Sequence, residues 1–339
     1  MKKYLLPENG NFYKANLHCH TTVSDGKLPA ERVKEEYMKR GYSVIAFTDH
    51  NVMMPHTELN DENFVALHGY EMDMSEKGTI KFRKTCHLNL IALEQDNLTQ
   101  VCWHREKHMV GHGAEYRHLV RFDESLPDFE RSHTPECINT VIKEAREHGF
   151  FVTYNHPGWS MENYGDYTSY KGMHALEIIN GGGYHKGYCD YSPGVYDDLL
   201  RAGNRIFCVA GDDNHNGTAF DTPEDPCFTA FTVIKADKLD YSSIANALVC
   251  GNFYASEGPE IKALWFENGT LHVETSPCER IIVSTGLRKT RTFAREKGKV
   301  LKSATCTLES NDIYFRVTVE DKFGKRAHSN AYFCDELEF

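Results

Sequence analysis

The stretch Asn16-Leu-His-Cys-His-Thr-Thr-Val-Ser-Asp-Gly26 decides how the chain is read. Residues i and i+2 of a strand point to the same face. His18 and His20 therefore project together, Leu17 and Cys19 turn the other way, and Asp25 follows within loop reach. Two neutral imidazoles and a carboxylate converging on one point form a grip for a divalent metal. A chain with 18 histidines also produces such a pair by chance, so the reading rests on what surrounds it. The same alternation assigns Cys19 to the core.

Outward from this stretch, apolar runs of strand length alternate with amphipathic helical stretches, the pattern of βα units around a parallel sheet. Strands are expected at Ala15–His20, Ser43–Thr48, Phe64–Tyr70, His87–Leu93, Phe151–Asn155, Ala175–Asn180 and Arg205–Ala210. Helices are expected at Pro29–Arg40 and Pro135–His148, each opened by proline and followed or closed by glycine. Seven such strands suggest a closed or nearly closed barrel. Between Glu94 and Ser132 the pattern lapses into a polar insertion carrying His104, His108, His112 and His118, which reads as loop lying over one barrel end. After Glu257-Gly-Pro-Glu260 short strands joined by turns take over. In the last of them Ile313, Phe315, Val317 and Val319 alternate with Tyr314, Arg316, Thr318 and Glu320, so a small antiparallel β-domain follows the barrel. The expected division is a barrel over 1–258 and a β-sandwich-like domain over 259–339.

The length of 339 residues suits one large domain plus a small one, since single cores stop growing near roughly 250–300 residues. No apolar run approaches the roughly 20 residues that span a bilayer. The basic start Met1-Lys-Lys is broken at Pro7 and Glu8 and does not read as a secretory signal, so a cytoplasmic location is expected. The 11 cysteines form no Cys-x-x-Cys pair, which argues against a disulfide framework and a zinc ribbon. A net charge of −11 disfavours non-specific nucleic-acid or anionic-membrane binding.

The ionisable residues gather at the ends of the expected strands. His18 and His20 end the first, Asp49 and His50 the second, and Glu71 the third; the fourth begins near His87, His156 ends the fifth, the sixth contains Glu177 and Asn180, and Asp212, Asp213 and His215 end the seventh. Barrel enzymes collect their catalytic groups at the carboxyl ends of the strands. Any one of these residues is explained by a cap or a core histidine. Burying them all at one end without compensating positive charge would cost several kcal/mol per group, and divalent ions supply that charge.

These residues resemble the PHP (polymerase and histidinol phosphatase) family in order and spacing: His18-Cys-His20, Ser24-Asp25-Gly26, Thr48-Asp49-His50, Glu71, His87, His156 and Asp213-Asn-His215. The resemblance runs over roughly residues 12–258 and implies a distorted (β/α)7 TIM-like barrel. It also implies a metal set. One ion would take His18, His20, Glu71 and Asp213, with Glu71 bridging to a second ion on His87 and His156. A third would be held by Asp25, His50 and His215. Asp213 is the expected ligand of its loop, with Asp212 the alternative. Two or three ions of Mn, Fe or Zn fit this mixture better than Mg²⁺ or Ca²⁺, which favour oxygen-only shells.

The implied reaction is attack of metal-bound hydroxide on phosphorus in a small phosphorylated substrate, a nucleotide or sugar phosphate. His215, Asp49 or a water on the third ion would protonate the leaving oxygen. Trp159, Tyr154, Arg117 and Lys84 are candidates for framing the mouth. A metallohydrolase of C–N or C–O bonds is the second enzymatic reading, and a metal-containing binding protein the third. The sequence leaves a homo-oligomer and the role of the β-domain open.

Overall fold

The computed structural model describes residues 2–339. Chain order begins with β1 (Lys2–Tyr4), β2 (Asn11–Asn16), α1 (Ala30–Met38), β3 (Tyr42–Phe47), β4 (Val65–Ser75) and β5 (Thr85–Ala92). The insertion contributes a two-residue pair, β6 (Thr99–Gln100) and β7 (Arg121–Phe122), around a 3₁₀ stretch at Gly111–Leu119. There follow α2 (Pro135–Glu147), β8 (Phe150–Tyr154), α3 (Tyr164–Tyr167), β9 (Ala175–Asn180), α4 (Gly181–His185) and α5 (Pro193–Arg201). Then come β10 (Phe207–Gly211), β11 (Phe231–Ala236), α6 (Tyr241–Cys250) and β12 (Phe253–Ser256).

The ladders run β10-β9-β8-β5-β4-β3-β2-β11-β12. The sheet carries an apolar core on both faces, as its near-continuous Val, Ile, Leu and Phe runs require. Helix α2 illustrates the local logic. Thr134 Oγ1 accepts from the Cys137 amide, Pro135 opens the first turn, and Ile138, Val141, Ile142 and Ala145 form the buried stripe.

Two expectations are corrected. The sheet is not a closed parallel barrel. Strand β5 runs antiparallel to both β4 and β8, because residues 76–84 return the chain directly without the crossover helix a parallel partner needs. No ladder joins β10 to β2 among the described residues; an isolated parallel bridge, Cys19 to Asn214, links the segments that follow them, and β11 reaches β10 through Thr232 Oγ1, which donates to the Ala210 carbonyl (2.8 Å) and accepts from its amide (3.0 Å). The fold is mixed α/β. The first strand also stops short of its expected end, at Asn16, and His18 and His20 lie just beyond it.

The remaining chain is sheet: β13 (Ile261–Glu267), β14 (Thr270–Cys278), β15 (Arg280–Thr285), β16 (Thr290–Ala294), β17 (Leu301–Thr307), β18 (Tyr314–Glu320), β19 (Arg326–Ser329) and β20 (Tyr332–Phe333). Strand β12 pairs with β19, so the large sheet continues into this part, while β1 pairs antiparallel with β13. The buried faces of β13–β15, β17 and β18 form one apolar cluster of their own. No described helix is long and apolar enough to cross a membrane.

Candidate metal centre

His18 and His20 project from the exit of β2 with ring centroids 5.2 Å apart. Gly26 makes the turn behind them possible, since a Cβ there would lie 2.6 Å from the His20 carbonyl oxygen. From this pair the other candidates close around one point. His18 Nε2 lies 3.2 Å from Glu71 and 3.3 Å from Asp213, and His20 Nε2 lies 3.0 Å from Asp213 and 3.4 Å from Glu71. Glu71, buried on β4, also has His50, His87 and His156 each at 3.1 Å. Asp25 sits 3.2 Å from His215 and 3.8 Å from His20 and His50. All nine residues expected to ligate are thus brought together, in four overlapping groups: His20-Asp25-His50-His215, His18-Glu71-His156, His18-His20-Asp213 and His50-Glu71-His87.

The spacing bears on what these atoms are for. His18 Nε2, both nitrogens of His20, and His87 Nδ1 are buried and make no hydrogen bond, although carboxylate oxygens stand 3.0–3.8 Å away. Lone pairs aimed at a common centre would produce this. Donors about 2.1 Å from one ion in tetrahedral or octahedral array lie roughly 3.0–3.4 Å from each other. Electrostatics agree. Burial raises the carboxyl pKa values of Glu71 and Asp213, but the surrounding imidazoles outweigh it and hold both well below the usual range. Burial, reinforced by His20, draws His50 down to about 4. The cluster fits divalent metal binding.

The backbone explains the choice between neighbouring aspartates. Asp213 has φ +51°, a left-handed conformation that turns its carboxylate into the cluster. Asp212 faces away: its oxygens accept from the Tyr37 hydroxyl (3.0 Å) and from the amides of Phe228, Thr229 and Ala230 (2.8–3.1 Å). His156, at φ +27°, shares the strained geometry.

Asp49 is turned toward its own loop. It stands behind the cluster, where one oxygen accepts from the amides of Thr21 and Ser24 and from Ser24 Oγ, and the other from Thr21 Oγ1, all at 2.6–3.1 Å. It fixes the loop that carries Asp25, with three of the four bonds on Oδ1 and one on Oδ2. Of the mouth candidates, Trp159 packs edge-on against His87 and His156 at 5.3 and 5.2 Å. The others are committed elsewhere. Tyr154 donates to Glu162, Lys84 pairs with Asp166, and Arg117 caps carbonyls of the insertion. None of the insertion histidines enters the metal groups, though the His108 carbonyl accepts from Asn51, next to His50.

A supporting layer was not assigned from sequence. His18 Nδ1 donates to Glu177 Oε1 at 3.0 Å. Asn180 Nδ2 donates to Glu177 (2.9 Å) and Asp213 (3.2 Å), and Asn155 Nδ2 to Glu71 (3.0 Å). Gly211 leaves room for this contact, because a Cβ there would meet His18 Cβ at 2.9 Å and Glu177 Oε1 at 3.2 Å. The position of Asn155 and Asn180 at strand ends is a signal that could have found them, whereas Glu177 lies inside β9.

The family model of the PHP domain matches residues 16–212, more than half of the chain. The chain belongs to the PHP domain family. The PHP match starts at the residue opening the first motif and ends one residue before Asp213, so Asp213 and His215 join the centre from just beyond it. No curated protein matches the chain. Among solved structures, a two-domain protein from Bacteroides vulgatus ATCC 8482 containing a predicted PHP-like metal-dependent phosphoesterase is 15% identical. Its match covers 98% of this chain and 90% of that one, at a TM-score of 0.42. A protein from Bifidobacterium adolescentis ATCC 15703, provisionally described as a metal-dependent phosphoesterase, is 17% identical over 62% of this chain and 89% of that one, at a TM-score of 0.38.

Proposed function

We propose that this PHP protein is a metal-dependent hydrolase of phosphoric esters acting on a small phosphorylated molecule. The observation that carries the reading is the set of buried imidazole nitrogens without hydrogen-bond partners, arrayed with carboxylates around Glu71. His18, His20, Glu71 and Asp213 would hold one ion, Glu71 with His87 and His156 a second, and Asp25, His50 and His215 a third. The imidazole and carboxylate mixture suits Mn²⁺, Fe²⁺ or Zn²⁺. Bound ions supply Lewis acidity toward phosphoryl oxygens and an activated water.

The chain's own groups do the rest. Glu177 and Asn180 orient His18 and Asp213, and Asn155 orients Glu71. Trp159 walls the side of the centre at His87 and His156. Asp49 is bonded to its loop, and His215, at the half-buried rim beside Asp25, would give a proton to the leaving oxygen only where it is not itself holding an ion.

The test is product release from a panel of phosphomonoesters and phosphodiesters by Mn²⁺-reconstituted protein, with His20→Ala as background. Release of phosphate or a phosphomonoester by the wild type alone supports the reading. Absence of both, with a carboxylate released from carboxylic ester or amide substrates, would replace it by a C–O or C–N hydrolase.

A further inference from the structure

At the far end of β2 from the metal centre, β1, the turn after it, β11 and β13 enclose a cleft of about 220 Å³. Lys235 lines it from β11, opposite Phe12 at the start of β2. Six residues separate Phe12 from His18, roughly 20 Å at ~3.3 Å per residue, so the two sites are distinct.

The cleft gathers positive charge in a chain of net charge −11. Lys2, Lys235 and Lys262 all line it. Lys235 is only 6% exposed, yet its ammonium has one hydrogen bond, to the Glu8 carbonyl at 3.3 Å, and lies 4.6 Å from the Phe12 ring centroid. Lys262 pairs with Glu260 at 3.5 Å, whereas among the described residues neither Lys235 nor Lys2 forms an ion pair. A buried ammonium without a counter-charge is costly unless something anionic joins it. Burial accordingly draws the Lys235 pKa below the ordinary lysine value.

The walls are prepared as well. Lys2 Nζ sits 4.3 Å from the Tyr4 ring and 4.8 Å from that of Trp265, whose ring stacks on His272 at 4.7 Å. This sets the ammonium of Lys2, an exposed side chain, beside the cleft. Two carboxylates also line it: Glu8, which accepts from the Tyr4 hydroxyl and whose charge partly offsets Lys2 and Lys235, and Glu274 on the exposed side of β14.

We propose that this cleft is a second ligand site, taking a small oxyanion: a phosphate or carboxylate group on a compact molecule, held between Lys235, Lys2 and Lys262 against the Tyr4 and Trp265 rings. Its volume admits a compact ligand and is below the usual range of drug-sized pockets, roughly 300–1,000 Å³. The inference stands on its own, whatever the metal centre hydrolyses.

Calorimetric titration of full-length, EDTA-treated protein with inorganic phosphate, and separately with acetate, tests it together with mass-spectrometric mapping of lysine acylation. Saturable binding that shields Lys2 and Lys235 from acylation is expected, weakened about tenfold or more by Lys2→Ala and by Lys235→Met and regained in Lys235→Arg. Saturation by phosphate alone assigns a phosphate ligand, and saturation by both assigns a general oxyanion site. No saturable binding of either anion, or binding left intact by Lys2→Ala, overturns the proposal. Lys2 is exposed, so that variant keeps the test valid even if Lys235→Met fails to fold.

Discussion

His18 is held from both sides: its Nδ1 donates to Glu177 Oε1 at 3.0 Å while its Nε2 faces Glu71 and Asp213 without a hydrogen bond. A carboxylate behind a ligating imidazole fixes its tautomer and raises its basicity, and loss of such a partner typically costs about 10–100-fold in metal affinity. Glu177→Gln is therefore expected to weaken Mn²⁺ or Zn²⁺ binding by about that factor with an unchanged circular dichroism spectrum. Chelator-competition titration measures it, and wild-type affinity in the variant would remove Glu177 from the centre.

Adjacent aspartates should behave oppositely. Asp213→Asn is expected to lose metal while melting near the wild-type temperature. Asp212→Asn should keep metal and lose about 1–3 kcal/mol of stability, because Asp212 is buried and accepts four hydrogen bonds, from Tyr37 and three amides. Metal content and thermal melts of both variants separate the two. A reversal of the pattern would exchange their roles.

Much of the centre was legible in the chain because strand ends and i, i+2 spacing are local properties. His18 with His20, and the Asp49-His50 pair, needed no tertiary information to be placed at one end. What escaped was non-local or conformational. The direction of β5 depends on the nine residues before it, and an apolar run such as Leu88-Asn-Leu-Ile-Ala92 reads alike in either direction. Asp49 is legible as the residue after a strand, and only the fold shows its oxygens bonded to Thr21 and Ser24. Glu177 meets His18 across 159 residues, a pairing that no spacing rule reaches.

Asp49→Asn accordingly should act on the loop. An amide cannot accept all of the bonds made by Thr21 and Ser24, so Asp25 is released from the centre and stability falls by about 1–3 kcal/mol. Thermal melts and hydrogen exchange at residues 21–25 check this. Unchanged exchange there, with activity abolished, would return Asp49 to a catalytic role.

Stability should also depend on His328, which is buried between the Tyr191 hydroxyl (3.1 Å) and Thr318 Oγ1 (3.1 Å). Burial, then Arg316 and Arg326, lower its pKa to about 3. The unfolded chain, with a histidine pKa of about 6.5, binds the proton more readily. Its contribution is complete above about pH 6.5 and is lost as pH falls, by at most about 1.4 kcal/mol per pH unit, down toward the folded pKa. Half-buried His174, lowered to about 4, acts in the same direction. Denaturation midpoints between pH 7.5 and 4.5 should fall less steeply in His328→Gln than in wild type; parallel curves would refute the assignment.

The central claim is that Glu71 and its five imidazole neighbours, His18, His20, His50, His87 and His156, are the heart of a polynuclear metal site. Metal content per chain, measured by plasma mass spectrometry on Mn²⁺-loaded and dialysed protein, tests it most directly. The account predicts about two or more equivalents in the wild type and at most about half as much in Glu71→Gln, because that carboxylate stands 3.1–3.4 Å from all five imidazoles. Less than one equivalent in the wild type, or equal content in the two proteins, would contradict it.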